Sequence, residues 1–453
     1  MKTIYKARWV LPVSSEPIEH GAVAIEDDKI ASVGSERTVA QQNESARVVD
    51  LGNSIITAGF INTHTHLELT IMRGYLENEE TDFFGWLRKL TIARRELMSQ
   101  DDIFVSAAWG ACEAARAGIT SVGDASDSAL IAMQALRVIG LRGVVFQESF
   151  GPDPQLVKEN VTLLKNKVSE LREIENQLVQ AGVSPHSPYT VCGPQLEAIA
   201  EYAAVEELPL MMHAAESAAE ESFVRSGEGM FAQGLARRGI EWRAMHKSPI
   251  QYLNERGILE TSPLLAHCIR VDQEDIDSIL ESGSKIAHCP KSNAKLGHGQ
   301  APLKKFIQTG VAVGLGSDSV ASNNTCDLFE ESRFALLLSR AQEGVGKQWL
   351  TATDALQLMT ASGAKCLGLE GKVGELRVGL QADLIAISLE ATQQAPSYDA
   401  VATTVFSSGA RDVILTVVAG KEVFRDGQIK TLDETRLRAR VEELRTRIQN
   451  STS

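Results

Sequence analysis

A chain of 453 residues, 43% hydrophobic and 23% charged, has ordinary globular composition and room for one large α/β barrel plus a small accessory domain. Its net charge of −14 makes nucleic acid and anionic membrane surfaces unsuitable partners. No apolar run approaches the roughly 18 residues of a membrane span, and the start Met1-Lys2-Thr3-Ile4-Tyr5-Lys6 lacks the apolar stretch of a signal peptide. Six cysteines (Cys112, Cys192, Cys268, Cys289, Cys326 and Cys366) form no Cys-x-x-Cys pair, and we read them as reduced and mostly buried in a cytoplasmic protein.

In chain order, the first 57 residues read as all-β, with a hairpin in which residues 22–25 and 29–33 flank the acidic turn Glu26-Asp27-Asp28. The strand signal returns at 382–387, 413–418 and 420–424. The two ends, 1–57 and 373–430, therefore predict one small β-sandwich domain. Between them, 58–372 alternates short apolar runs with helical patterns. Candidate strands are 60–66, 119–124, 143–148, 182–186, 208–213, 264–267, 285–288 and 311–318, each followed by room for a helix. That alternation predicts a (β/α)8 TIM barrel. The helix before the fourth strand is clear from Val157, Val161, Leu164, Val168, Leu171 and Ile174 at three- and four-residue steps. Residues 217–262 form the longest insertion, with a helix start at Ser248-Pro249 and Gln251 as capping-box partner; it is a candidate lid, an oligomer contact or a surface excursion. Residues 431–453 read as an amphipathic C-terminal helix carrying Leu437, Val441, Leu444 and Ile448.

The chemistry-bearing stretch is Gly59-Phe60-Ile61-Asn62-Thr63-His64-Thr65-His66. Strand side chains alternate faces, so His64 and His66 point the same way and can reach one metal ion together. A hydrolytic centre needs at least one more protein ligand and an open position for water. Barrel enzymes place their chemistry at the C-terminal ends of the strands. His213 (in His213-Ala214-Ala215-Glu216), His267 (in Leu264-Leu265-Ala266-His267-Cys268) and Asp318 (in Gly316-Ser317-Asp318) close predicted strands on that same face.

With Pro185-His186-Ser187-Pro188-Tyr189-Thr190 and His288-Cys289-Pro290-Lys291-Ser292-Asn293, these motifs resemble the amidohydrolase superfamily over nearly the whole chain. They look most like its branch of cytosine deaminase, triazine hydrolases and methylthioadenosine/S-adenosylhomocysteine deaminase. The resemblance implies that His64, His66, His213 and Asp318 bind one divalent metal ion, zinc or iron. It implies catalytic roles for Glu216 and His267, and a place in the substrate pocket for His186. The chemistry suits those roles. A bound ion can lower the pKa of a water from 15.7 to about 7. His267 can hold the water or the developing oxyanion, Asp318 can accept a proton, and Glu216 can carry protons to a ring nitrogen and a leaving amine. Strand four ends Ser184-Pro185-His186 with no lysine, which argues for a single ion, and the Pro-Cys-x-x-Cys zinc pattern of other deaminases is missing. His288 is read as structural support for the turn at 290–293, His298 as pocket-facing, and His20 and His246 as surface residues.

The substrate is narrowed by the stretch after the first strand. The nucleoside deaminases of this branch have Trp-Leu followed about nine residues on by a ribose-binding glutamate. Here Trp86-Leu87 is followed by Arg94-Arg95-Glu96, with arginine where glutamate is expected. That pattern looks more like aminodeoxyfutalosine deaminases, whose adenine nucleoside bears a benzoate. Trp86, Arg94 and Arg95 are thus candidate substrate contacts, with an arginine meeting a carboxylate, unless both arginines are simply solvated. The expected function is deamination of a 6-aminopurine nucleoside. The alternatives are a deaminase or chlorohydrolase of another N-heterocycle (guanine, pterin, cytosine or triazine) and a catalytically silent scaffold. The expected partner is a small molecule, neither nucleic acid nor membrane, and the expected assembly is a homo-oligomer.

Overall fold

Eight short parallel strands alternate with helices and close on themselves. The computed structural model describes residues 2–344 and 348–451. Phe60–Thr65, Ile119–Ser126, Arg142–Ser149 and Val179–Pro185 pair in that order, and Met211–Ala214, Leu264–His267, Lys285–His288 and Ala312–Leu315 form a second parallel run. Bridges between Val183 and Leu210 and between Thr65 and Asp318 join the two runs at both seams. The strands are buried nearly throughout, as parallel strands covered by helices must be, which is why they read as short continuous apolar runs rather than alternating ones. The eighth strand stops at Leu315, short of the predicted end, because the chain turns at Asp318, whose φ of 57° lies in the left-handed region.

The helix predicted before strand four spans Val157–Glu173 and buries Leu164, Val168 and Leu171 along one stripe. Ser99 and Ser248 each open a helix with a reciprocal capping box, Ser248 with Gln251 as the sequence suggests.

Strands from both chain ends build the second layer. Their hydrogen bonds link them into one nine-stranded network, because Lys2–Leu11 pairs with Ile18–Glu26 and, along its two halves, with Arg47–Asp50 and Ser54–Ala58. Ser54–Ala58 in turn pairs antiparallel with Leu384–Ser388, which joins the N-terminal strands to the C-terminal ones. Asp383 fastens this sheet to the barrel. Its carboxylate accepts from Arg142 Nε (3.0 Å) and Nη2 (3.2 Å) at the start of barrel strand three, and from Ala419 N (2.8 Å). The last helix, Glu434–Ser451, buries Leu437, Leu444 and Ile448 and pairs Arg440 with Asp101 and Arg447 with Asp102 on the helix Gln100–Arg116. No helix among the described residues is long and apolar enough to cross a membrane.

Candidate metal centre and active site

His64 and His66 leave the first barrel strand on the same side, as the two-residue period requires, and the strand-five and strand-eight ends bring His213 and Asp318 to meet them. His66 Nε2 lies 3.3 Å from His213 Nε2, and Asp318 Oδ1 lies 3.5 Å from His64 Nε2 and 3.6 Å from His66 Nε2. A tetrahedral ion with nitrogen and oxygen ligands at about 2.1 Å sets its ligand atoms about 3.4 Å apart, and these three separations are of that size. His64 Nε2 is buried without a hydrogen-bond partner, as a ligand atom awaiting an ion would be. Burial, then the charge of neighbouring imidazoles, holds His66 down at about 3 and His213 well below the ordinary histidine range. Neutral imidazole is the form that binds metal.

The second layer orients these ligands. His213 Nδ1 faces the carbonyl of His186 at 2.9 Å, which can only accept, so Nδ1 carries the proton and Nε2 keeps its lone pair for a metal. Asp318 accepts from Ser292 Oγ (2.6 Å) and Ser322 Oγ (3.3 Å) through Oδ2 and from Ser319 N (2.6 Å) through Oδ1. Burial opposes ionisation of Asp318, but the closeness and charge of His64, with His267 and His66, hold its carboxyl well below the usual range. Four non-glycine residues at this rim have positive φ: Ala215 (52°), His267 (76°), Cys268 (46°) and Asp318 (57°). Strained backbone of this kind persists where its surroundings over-determine it, and it gathers at functional sites. Here Ala215 O accepts from both Ile269 N and Arg270 N at 2.8 Å, and Cys268 N donates to Ala214 O at 3.1 Å. Gly316 allows a close approach, since a Cβ there would fall 2.9 Å from both His64 Cβ and Cys289 Sγ.

Glu216 sits beside this cluster. Its Oε1 is 3.7 Å from His267 Nε2 and 3.7 Å from His298 Nε2, so His298 flanks the same carboxyl as His267. Glu220, four residues on, accepts from Ala215 N and Glu216 N at 2.8 Å each and holds the loop that carries Glu216. Burial, with the charge of Glu216, pushes the Glu220 carboxyl up to about 8. His267 Nδ1 donates to Asn293 Oδ1 at 2.8 Å, which aims an unpartnered Nε2 into the site. Burial lowers the pKa of His267, but Glu216 and Asp318 outweigh it and raise it above the ordinary value.

His66, His213, Glu216, His267 and Asp318 floor a cavity of about 550 Å³, large enough for a nucleoside-sized ligand. His186 lies in its wall, with Nδ1 held by Thr190 Oγ1 (2.9 Å) and Ser187 Oγ (3.0 Å), and burial first holds it down at about 4. Trp86 lines the cavity from the helix Phe83–Leu97, its Nε1 buried and unpartnered. The insertion at 217–262 closes the opposite side: Phe231 stacks on Tyr189 at 4.0 Å, and Leu235 and Arg238 also face the cavity. The two arginines part company. Arg94 also lines the cavity, but its guanidinium grips Glu68 in a two-pronged pair (2.9 Å each) and Asp127 (2.9 Å). Arg95 is exposed at the cavity wall and makes no ion pair or hydrogen bond among the described residues. His288 is buried, but its Nδ1 makes no hydrogen bond to the turn it was expected to support. His20 and His246 are exposed, and all six cysteines are buried and unpaired.

Sequence reasoning passed over Glu148 and Glu220, and gave Glu68, in the Leu67-Glu68-Leu69 stretch, no role of its own. Glu68 and Glu220 are partners of loops and arginines that no spacing reveals. Glu148 closes a predicted barrel strand, so the same strand-end rule that picks out the histidines points to it.

Comparison with known proteins bears on this geometry. The protein is 31% identical to the 5-methylthioadenosine/S-adenosylhomocysteine deaminase of Symbiobacterium thermophilum over 99% of both chains. It is 31% identical to that of Pelotomaculum thermopropionicum, over 95% of this chain and 94% of the other. Its fold superposes on a zinc-bound adenosine deaminase from Xanthomonas campestris with a TM-score of 0.85 at 23% identity, covering 99% of this chain and 98% of that one. It superposes on a zinc-complexed atrazine chlorohydrolase from Arthrobacter aurescens with a TM-score of 0.84 at 22% identity, covering 98% of this chain and 100% of that one. The amidohydrolase family profile matches residues 55–423, from the last N-terminal strand through the barrel and back into the sheet, and the chain belongs to that family.

Proposed function

We propose that this protein is a metal-dependent aminohydrolase that converts a 6-aminopurine nucleoside with a large 5′ substituent to its 6-oxo product and ammonia. The observation that carries this reading is the placement of the Glu216 carboxyl, 3.7 Å from His267 Nε2 and beside the His64–His66–His213–Asp318 cluster at the cavity floor. The full-length likeness to deaminases of adenine nucleosides supports it.

An ion held by the cluster, zinc in our reading, supplies Lewis acidity and activates water. Asp318 and His267 hold the attacking water and orient it toward the ring carbon that bears the amine. Glu216 takes the proton released in the attack and gives it to the ring nitrogen, then takes the second proton from the newly added hydroxyl and delivers it to the amine as the carbon–nitrogen bond breaks. His186 and Trp86 bracket the nucleoside. Arg95, free of protein partners, is placed to meet an anionic group on the 5′ side, and Arg94 keeps the wall beside it in place.

Metal-replete protein assayed for ammonia release across adenosine, methylthioadenosine, S-adenosylhomocysteine and carboxylate-bearing adenine nucleosides, followed by the ultraviolet shift on deamination, tests the reading. Turnover of at least one of them well above guanine, cytosine, pterins and triazines is expected. A faster reaction on one of those other heterocycles overturns the substrate class, and no release from any amine overturns the deaminase.

A further inference from the structure

We propose that Glu148 and His186 form a notch in the cavity wall that receives a sugar hydroxyl of the substrate, an assignment that rests on the nucleoside reading above. Glu148 ends barrel strand three, lines the cavity and is 7% exposed. Every other acidic side chain around it has a protein partner. Glu68 is held by Arg94, and Asp127 by Arg94 and Lys167 (2.8 Å). Asp124 accepts from Leu67 N at 2.7 Å, and Asp318 accepts from Ser292. The Glu148 carboxyl alone makes no hydrogen bond or ion pair among the described residues, and its Oε1 is fully occluded. A buried carboxyl without a partner costs free energy that a bound hydrogen-bond donor removes.

The chemistry of that donor follows from the neighbours. A Glu148 oxygen, a His186 ring nitrogen and a His213 ring nitrogen all lie within 4.8 Å of one another. His186 Nδ1 is taken by Thr190 and Ser187, which leaves Nε2 as the ring nitrogen open to a ligand. A carboxyl and an imidazole nitrogen together match a hydroxyl, which both donates and accepts. A second metal ion fits poorly. His213 already turns Nε2 toward His66 and gives Nδ1 to the His186 carbonyl, so only two protein ligands remain. Glu148 is also set apart from the proton carrier: its charged neighbours include Glu68, Asp127 and Arg94, whereas Glu216 faces His267 and His298. The two carboxyls therefore serve different parts of the ligand, Glu216 the reacting ring and Glu148 the sugar.

The test uses full-length, metal-replete wild type, Glu148→Gln and Glu148→Ala, with the best-turned-over aminopurine nucleoside and its 2′-deoxy and 3′-deoxy analogues. Metal content and melting temperature are measured alongside. The alanine variant is expected to keep its metal content and lose roughly 10- to 100-fold in kcat/KM on the ribonucleoside, mostly through KM, the usual size for leaving a buried hydrogen-bonding group unpaired. The glutamine variant, which keeps one acceptor oxygen, loses less. On one of the two deoxy analogues the wild type and both variants should coincide. An equal loss on all three substrates makes Glu148 structural and overturns the proposal. Loss of a metal ion from the variants makes it a cation ligand and also overturns it. A wild type that turns over no aminopurine nucleoside defeats the nucleoside reading itself, an outcome distinct from the other two.

Discussion

At the scale of single residues the proposed reading separates groups that would hold the ion from groups that would move protons. Three imidazoles and a carboxylate are the holders, and Glu216, pinned through its backbone by Glu220, is the proposed shuttle. Glu216→Gln should therefore retain the metal and lose turnover by about 10²–10⁴-fold, the usual range of general acid–base catalysis, as measured by ammonia release and metal analysis on the same sample. A variant with a tenth of the wild-type rate would remove Glu216 from the mechanism. The two arginines give opposite expectations. Arg95→Ala should weaken a carboxylate-bearing nucleoside by about 1.5–3 kcal/mol and leave plain adenosine unchanged. Arg94→Ala strands Glu68, whose side chain is 3% exposed, and should lower stability by on the order of 3 kcal/mol whatever the substrate. The Arg94 pairing was not legible in the sequence, because Glu68 and Asp127 lie 26 and 33 residues away and only the closed barrel makes them neighbours.

Among the elements, the barrel strand ends do most of the positioning and the sheet steadies them. Positive φ at Ala215, His267, Cys268 and Asp318 turns the chain at the points where side chains must converge. The joint between the two layers is the Arg142–Asp383 pair, with side chains 5% and 0% exposed. Asp383→Ala leaves a buried guanidinium uncompensated and should cost about 3–5 kcal/mol in denaturant unfolding, while kcat of the surviving folded protein stays near wild type. A drop in kcat with unchanged stability would mean that this joint sets the geometry of the site. The insertion, open in the sequence between lid, contact and excursion, is a cavity wall, because Phe231 packs flat on Tyr189.

For the whole molecule, metal and protonation are linked to folding. An ion that binds only the folded chain adds stability by mass action, about 2.7 kcal/mol at a hundredfold excess over Kd. Chelation should lower the melting temperature, and re-addition of zinc should restore it with one ion per chain. Two ions per chain, or full occupancy in His213→Ala, would contradict the four-ligand cluster. Glu331 tests the pH side of the linkage. It is fully buried, and burial pushes its carboxyl up to about 8. A folded-state pKa above the unfolded one means stability present below about pH 4 and lost as pH rises toward 8. The wild type should therefore lose stability relative to Glu331→Gln between pH 5 and 8, as read by melting temperature. Parallel curves would place the proton elsewhere.

The sequence by itself determined the alternation of strand and helix, the joining of both chain ends into one small β-domain, and the strand-end positions of His64, His66, His213, His267 and Asp318. It could do so because the two-residue and 3.6-residue periods are local, and because a barrel places every strand end on one face. Only the tertiary structure decided that Arg94 is bound to Glu68 while Arg95 is free, that Glu220 holds the Glu216 loop, that His298 joins His267 beside Glu216, and that Glu148 is left without a partner. Those outcomes depend on which side chains meet across the closed barrel, a matter of distances between residues far apart in the chain that no periodicity encodes.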